Sequence, residues 1–204
     1  MKRIILVAAT AMMAAAANLS AATASTPGYY FSGLAGVSWL PTLPCKNSTG
    51  MSDTSFDTGY AFGGALGYDN GDGWRFELDS FHQIASVDQF GGTSSSGHLF
   101  STSVMANVTR DLMDGVQFTP YVGVGLGLQD VGGMINGFSG DQWKPAYQVE
   151  AGLRKDLSPQ LSLFGEYRFS QSEATKLSDA TDIAQQHFSN HLLTIGLSYH
   201  FGQD

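Results

Sequence analysis

Residues 59–79 read GYAFGGALGYDNGDGWRFELD. Up to position 68 the even-numbered residues are large and apolar except for Gly64, and the odd-numbered ones are all Gly or Ala. From Trp74 the alternation resumes, now between apolar and charged residues. The intervening DNGDG carries the Asn-Gly signal of a tight hairpin turn. Period-two alternation on both sides of a turn predicts an antiparallel β-hairpin with one apolar and one polar face.

The same alternation recurs along the chain and defines eight segments: 29–39, 57–68, 74–79, 100–108, 118–127, 147–154, 161–169 and 190–201. In each segment one face is apolar enough to meet hydrocarbon and the other is not. The connections alternate as well, because those near 69–73, 110–116 and 156–160 are short. The others are long and rich in Ser, Gly, Asp and Thr: 40–56, 85–97, 130–143 and 171–187.

These features predict an all-β fold, an eight-stranded antiparallel up-and-down transmembrane β-barrel with short periplasmic turns and four long extracellular loops. Strands of about eleven residues, each rising about 3.3 Å and tilted by roughly 40°, span on the order of 28 Å, which matches the apolar band of an outer membrane. Closure of the barrel satisfies every backbone group in lipid.

The first 24 residues have the order of a secretory signal peptide. A basic start at Lys2 and Arg3 precedes an apolar run that is too short to span a bilayer, and the triplet ATA at 22–24 fits a cleavage site. We therefore expect residues 1–24 to be removed on export and residues 25–204 to form the barrel domain. Cys45 lies far beyond the signal region, so we interpret it as a free loop thiol and not as a lipid attachment site.

Composition excludes several classes of protein. The chain has 204 residues with 43% hydrophobic and 14% charged, and its 25 glycines and 12% aromatic content favour one turn-rich β domain over a helical one. The net charge of −8 disfavours nucleic-acid binding, which needs a basic surface. A single cysteine excludes an internal disulfide and a cysteine-based metal site. We expect no metal and no cofactor.

The polar face of the segments carries charges of both signs. An eight-stranded barrel has room only for side chains, so we predict that these residues form hydrogen-bonded ion pairs that plug the lumen. The predicted lumen network comprises Arg75, Glu77, Asp79, Asn107, Gln148, Glu150, Arg154, Glu166 and Arg168.

Two hairpin registers follow from where the turns are placed. A turn centred near 158 sets Glu150 opposite Glu166, and we predict that Arg75 or Arg168 bridges these like charges. A turn centred on position 71 pairs Gly63, Ala65 and Gly67 with Asp79, Glu77 and Arg75, respectively. The small residues then leave space for the long charged side chains opposite them.

Aromatic residues lie near the ends of the apolar faces, as in the girdles that mark the two boundaries of a membrane barrel. The predicted girdle comprises Tyr29, Phe31, Trp39, Tyr60, Tyr68, Trp74, Tyr147, Tyr167, Phe169, Tyr199 and Phe201.

Five stretches make the chain resemble the OmpA-like outer-membrane β-barrel superfamily, especially its eight-stranded surface-antigen branch: GYAFGGALGY at 59–68, GWRFEL at 73–78, PYVGVG at 120–125, EYRF at 166–169 and GLSYHF at 196–201. The resemblance implies a barrel without a large pore that is inserted by the barrel assembly machinery. It also implies that this machinery recognises aromatics near the end of the chain, here Tyr199 and Phe201. Three further residues, 202–204, depart from the usual terminal Phe.

Other motifs are weaker. His187 and Ser189 resemble the His-x-Ser-Asn motif of lipid A deacylases, with Ser189 as nucleophile and His187 as base, but no acidic residue has an evident outward position to orient the histidine. The glycines at 123, 125 and 127 lie within a strand and precede no helix, so a phosphate-binding loop is not expected. The other histidines lack metal-ligand spacing and fit girdle or lumen positions: His82, His98, His191 and His200.

The leading hypothesis is a structural and surface-interaction barrel, a monomer that contacts lipid and lipopolysaccharide. In this hypothesis the loops at 40–56, 85–97, 130–143 and 171–187 meet a host or environmental ligand. Three alternatives remain open. They are a narrow pore for small solutes, a hydrolase that modifies lipid A, and a soluble lipocalin-like carrier in which the two faces are exchanged.

Overall fold

The computed structural model describes the backbone at residues 27–39, 43–47, 50–54, 58–90, 93–113, 116–134, 143–179 and 182–202. Side chains are described at 27–39, 58–84, 100–113, 116–130, 143–172 and 189–202. The predicted signal peptide lies outside these ranges. Within them, no helix is both long and apolar enough to cross a membrane.

Eight antiparallel strands close into a barrel, as predicted. The barrel strands are β1 (Gly28–Trp39), β4 (Gly59–Asp69), β5 (Trp74–Phe90), β6 (Thr93–Asp111), β7 (Thr119–Met134), β8 (Lys144–Asp156), β9 (Leu161–Asp179) and β10 (Asp182–His200). Their spatial order is β1-β10-β9-β8-β7-β6-β5-β4. The first and last strands seal the barrel through a ladder that runs from Tyr30 opposite His200 to Trp39 opposite His191. Closure leaves no unpaired sheet edge at the depth of the lipid.

The wall alternates between an apolar outer face and a polar inner face, and the predicted parity holds in all eight segments. On β4, for example, Tyr60 is 73% exposed and its neighbour Ala61 only 2%. Exposed side chains on the outside are mostly large and apolar, whereas most buried side chains in the interior are polar or charged. A soluble carrier would need the opposite arrangement, so this alternation favours a barrel that faces lipid.

The structure differs from the sequence prediction in the long connections. Two short strands, β2 (Leu43–Asn47) and β3 (Gly50–Thr54), pair as a hairpin within 40–56, so Cys45 lies on a strand and not in a loop. In the other three connections, strands β5, β6, β7, β9 and β10 continue into the ranges predicted as loops. Apolar alternation marks only the lipid-facing part of a strand, whereas backbone pairing continues past it.

Both predicted hairpin registers are wrong by two residues, although the faces are right. In the first hairpin Gly67 faces Glu77 and Gly63 faces Phe81. The register is set by a turn at 70–73, which is closed by a hydrogen bond from Asn70 N to Trp74 O (3.0 Å). Gly71 and Gly73 have φ values of +82° and +87°, which favour glycine.

In the second hairpin Glu150 faces Arg168, and Glu166 faces Gly152. The like charges are therefore not opposite each other, because the hairpin is centred one residue later than predicted. A shift of one residue in the centre moves every partner by two and keeps each side chain on its face.

Candidate functional site

The centre of the lumen is occupied by one arginine and three carboxylates, which we call the central cluster. Arg168 extends from β9 and forms an ion pair with Asp79. Its Nε lies 2.6 Å from Glu166 Oε1 and 3.3 Å from Glu150 Oε2. All four side chains are buried. The prediction that Arg75 or Arg168 bridges the two glutamates is thus confirmed for Arg168, even though the glutamates do not face each other across the hairpin.

Neutral side chains complete the coordination of two of these carboxylates. Tyr121 donates its hydroxyl to Glu166 Oε2 (2.9 Å), and Asn107 and Gln148 donate their amides to Asp79 Oδ2 (2.8 and 3.2 Å). Neither carboxylate oxygen of Glu150 accepts a hydrogen bond from the described residues. Asp79 and Glu166 are therefore held by several donors, whereas Arg168 is the one described cation that approaches Glu150.

A second group, the turn-end cluster, lies near the short turns. Arg75 Nη2 and Arg154 Nη2 approach the two oxygens of Asp111, at 3.2 and 2.9 Å respectively. Arg154 also lies 3.9 Å from Asp69 Oδ2 and 3.5 Å from Asp156 Oδ1. Here two guanidiniums share one carboxylate, and one of them also approaches two further carboxylates.

Aromatic side chains connect and border the two clusters. Tyr121 donates a hydrogen bond to Glu166, and the Arg75 guanidinium lies over the Tyr121 ring, 4.7 Å from its centre. Arg168 lies 4.4 Å from the ring centre of Phe81. Tyr30 donates its hydroxyl to Glu77. These contacts continue the network across the lumen without adding charge.

Six residues of this site are absent from the predicted network. Asp69, Asp111 and Asp156 fall in predicted turns, yet they are the last residues of β4, β6 and β8 and share the inward parity of their strands. Tyr30, Phe81 and Tyr121 also have inward parity, whereas the prediction assigns large aromatics only to the outer face. Tyr30 and Tyr121 lie within predicted segments, and extending the alternation to the strand ends places the other four residues on the inner face as well.

Glycines on the inner face leave room for this network. A Cβ atom at Gly125 would lie 1.9 Å from Asn107 Oδ1, and one at Gly123 would lie 2.5 Å from Glu150 Oε1. A Cβ at Gly67 would lie 2.3 Å from the ring of Tyr30. The glycines of residues 123–127 therefore have a packing role, and each belongs to a β-strand, as expected.

Apolar side chains fill the adjoining part of the lumen. They form one buried cluster contributed by β1, β4, β5, β9 and β10: Leu34, Ala61, Phe81, Phe164 and Leu192. Between this cluster and the arginines lies a cavity of about 20 Å³, which is room for about one water molecule.

The predicted girdle residues lie on the outer face and form two rows. At the turn end, Tyr29 packs on Tyr68 with ring centres 5.1 Å apart, and Tyr199 meets Phe201 edge to face. At the opposite end, which we call the loop end, Trp39, Tyr167 and Phe169 surround His191. The Tyr167 hydroxyl lies 2.6 Å from His191 Nδ1.

Of the two predicted catalytic candidates, the structure describes the side chain of Ser189 alone. Ser189 is half-buried on the outer side of β10, next to the inward Asn190, and the side chain of His187 lies outside the described residues. Where side chains are described, no group of three or more His, Cys, Asp or Glu residues is arranged to hold a metal.

A closed antiparallel barrel with an apolar, aromatic-banded exterior and an ionic interior defines the class of transmembrane β-barrel proteins. The family model of the outer membrane protein beta-barrel domain matches residues 5–201. The chain belongs to this family of outer membrane proteins.

Comparisons with individual proteins agree with this family assignment. An "Outer membrane protein" of Gluconacetobacter diazotrophicus is 29% identical over 179 aligned residues, which cover 71% of this chain and 47% of that protein. The chain thus spans about half the length of this curated relative. Neisserial surface protein A (NspA) is 19% identical with a TM-score of 0.59, covering 85% of this chain and 97% of its own. OprG of Pseudomonas aeruginosa is 14% identical with a TM-score of 0.55, covering 87% and 97%. These two structures share the fold.

Proposed function

We propose that this protein is a structural and surface-interaction barrel whose lumen is closed to solutes. The observation that carries the proposal is the chain of contacts from Asp111 through Arg75 and Tyr121 to Glu166 and Arg168, which crosses the interior. Conduction needs a continuous water path. A cavity of about 20 Å³ beside the arginines favours isolated water over a channel.

Conductance across a planar lipid bilayer tests this proposal. We expect the full chain, inserted from detergent, to give no discrete conductance steps in neutral salt solution. A porin added to the same bilayer controls for assay sensitivity. Stable steps of uniform size from the purified protein would contradict closure and favour the narrow-pore alternative.

Closure can be separated from failed insertion with a widened variant. Arg75→Gly combined with Arg168→Gly removes both guanidiniums and leaves the outer face unchanged. We expect this variant to conduct if it folds, and its folding is checked by the shift in gel migration on boiling that closed membrane barrels give. A folded variant that is as silent as the wild type would show that other side chains close the lumen.

We further propose that the loop end faces the environment and the turn end the periplasm, after export with removal of residues 1–24. In this orientation the strands that continue into 85–97 and 171–187 project outwards, where they could present backbone and side chains to a host or environmental ligand. An epitope inserted at 91–92 should be labelled on intact cells, whereas one inserted at 158–159 should be labelled only after lysis. The opposite labelling would overturn the orientation.

Insertion by the barrel assembly machinery through Tyr199 and Phe201 belongs to the same proposal, as does contact with lipopolysaccharide at the outer rim. No enzymatic role is assigned. Ser189→Ala should therefore leave the mass of lipid A unchanged in cells that express the protein, and a mass shift that depends on Ser189 would contradict this.

A further inference from the structure

The lipid-facing wall contains a groove over β1, β9 and β10. Its volume is about 700 Å³, and its outer side is open. A Cβ atom added at Gly33 would meet no heavy atom within 4 Å, so bare backbone forms part of the groove floor. The sides are large and apolar: Phe31, Leu161, Leu163, Ile195, Leu197 and Tyr199.

The groove extends from the turn end to about half the height of the membrane. Tyr199 pairs with Leu161 beside the last short turn, and Ile195, four residues away on β10, pairs with Ala35. Four residues of a strand tilted by about 40° rise about 10 Å. This is close to half of an apolar band about 25 Å tall, so the groove matches the hydrocarbon depth of one leaflet.

A cation stands beside the turn end of the groove. Lys155 on β8 pairs with Leu163, one of the groove walls, and lies on the outer face, between two inward neighbours. Its ammonium is 5.2 Å from the ring centre of Phe118, which precedes β7 on the other side of β8, so the side chain must turn towards β9 to reach the groove. Arg110, a second outward cation at this end, lies 3.9 Å from Asp72. Among the described side chains, Lys155 forms no such ion pair.

An apolar groove of leaflet depth with an unpaired cation at its headgroup end has the chemistry of a phospholipid site. Hydrocarbon gains contact with the bare backbone at Gly33, and the cation attracts an anionic headgroup. We propose that the groove binds one anionic glycerophospholipid, with an acyl chain against Gly33 and the phosphate beside Lys155. The site is independent of whether the lumen conducts.

Native mass spectrometry of the full chain, purified in detergent and mixed with phosphatidylglycerol or phosphatidylethanolamine, tests the site. We expect the wild type to retain one phosphatidylglycerol per chain in preference to phosphatidylethanolamine. Lys155→Gln should lower the affinity for phosphatidylglycerol about five-fold, and Lys155→Arg should keep it. Gly33→Leu, which fills the floor, should lower it by about ten-fold or more.

Ala106→Leu is the matched control, because Ala106 is an exposed outward residue on β6, across the barrel from β10. It should retain phosphatidylglycerol as the wild type does. Each variant is first shown to be folded by its shift in gel migration on boiling. Equal retention by folded Gly33→Leu and wild type would overturn the proposal, as would a wild type with no preference for phosphatidylglycerol or equal loss in Ala106→Leu.

Discussion

The two ionic clusters of the lumen differ in how many arginines hold their carboxylates. In the central cluster the guanidinium of Arg168 forms ion pairs with three carboxylates. In the turn-end cluster the guanidiniums of Arg75 and Arg154 meet on the carboxylate of Asp111. A buried charge that loses its partner costs several kcal/mol. The central cluster therefore depends on a single side chain, whereas the turn-end cluster retains a cation when either arginine is removed.

Removal of Arg168, the one described arginine of the central cluster, should lower the stability of the barrel most. Arg168→Met should lower the free energy of unfolding by about 3–5 kcal/mol, because three buried carboxylates lose their only described cation. Arg75→Met should cost about 1.5–3 kcal/mol, because Arg154 still neutralises Asp111. Urea unfolding in phospholipid vesicles, followed by tryptophan fluorescence, measures both. An equal loss in the two variants, or a larger one for Arg75→Met, would break the distinction between the clusters.

A second pair of variants compares two carboxylates of the central cluster, those of Glu150 and Glu166. Glu150→Gln keeps the shape of a side chain whose carboxylate oxygens accept no hydrogen bond from the described residues, and it relieves repulsion among three acids around one arginine. We expect a gain in stability of about 1 kcal/mol. Glu166→Gln loses charge-assisted bonds to Arg168 and Tyr121 and should cost about 1.5–3 kcal/mol. Destabilisation by Glu150→Gln as large as that by Glu166→Gln would show that Glu150 is as firmly held.

The smallest expected effect compares the inner and outer faces of the wall. Gly67→Ala brings a methyl group against the Tyr30 ring and should lower the unfolding free energy by about 1–3 kcal/mol. Gly33→Ala on the outer face adds a Cβ with no described heavy atom within 4 Å, and it should raise the unfolding free energy by about 0.4–1 kcal/mol through the lower entropy of the unfolded chain. Similar changes in both variants would contradict the assignment of Gly67 to a packing role.

Most of the fold could be predicted from the sequence because lipid outside and polar groups inside impose a period of two on every strand. That constraint fixes the face of each described residue within the eight predicted segments. It does not fix the extent of pairing beyond the membrane. The strands that continue into 85–97 and 171–187 carry no apolar alternation to reveal them.

The sequence predicts most of the residues that form the site but not the contacts among them. Parity alone placed Arg168, Glu150 and Glu166 in one lumen, and a small lumen brings them together. The register depends on the exact turn, and the positive φ angles at Gly71 and Gly73 are set by local geometry that the Asn-Gly signal only partly specifies. Contacts across the lumen, such as that of Arg168 with Asp79, depend further on the stagger of all eight strands.

Whether Arg168 holds the centre of the lumen together is tested most directly by a double-mutant cycle with Glu166, using urea unfolding of Arg168→Met, Glu166→Gln and the combined variant. We predict that the two losses are not additive, with a coupling free energy of about 1–3 kcal/mol. Additivity within about 0.5 kcal/mol would contradict a central cluster organised by Arg168.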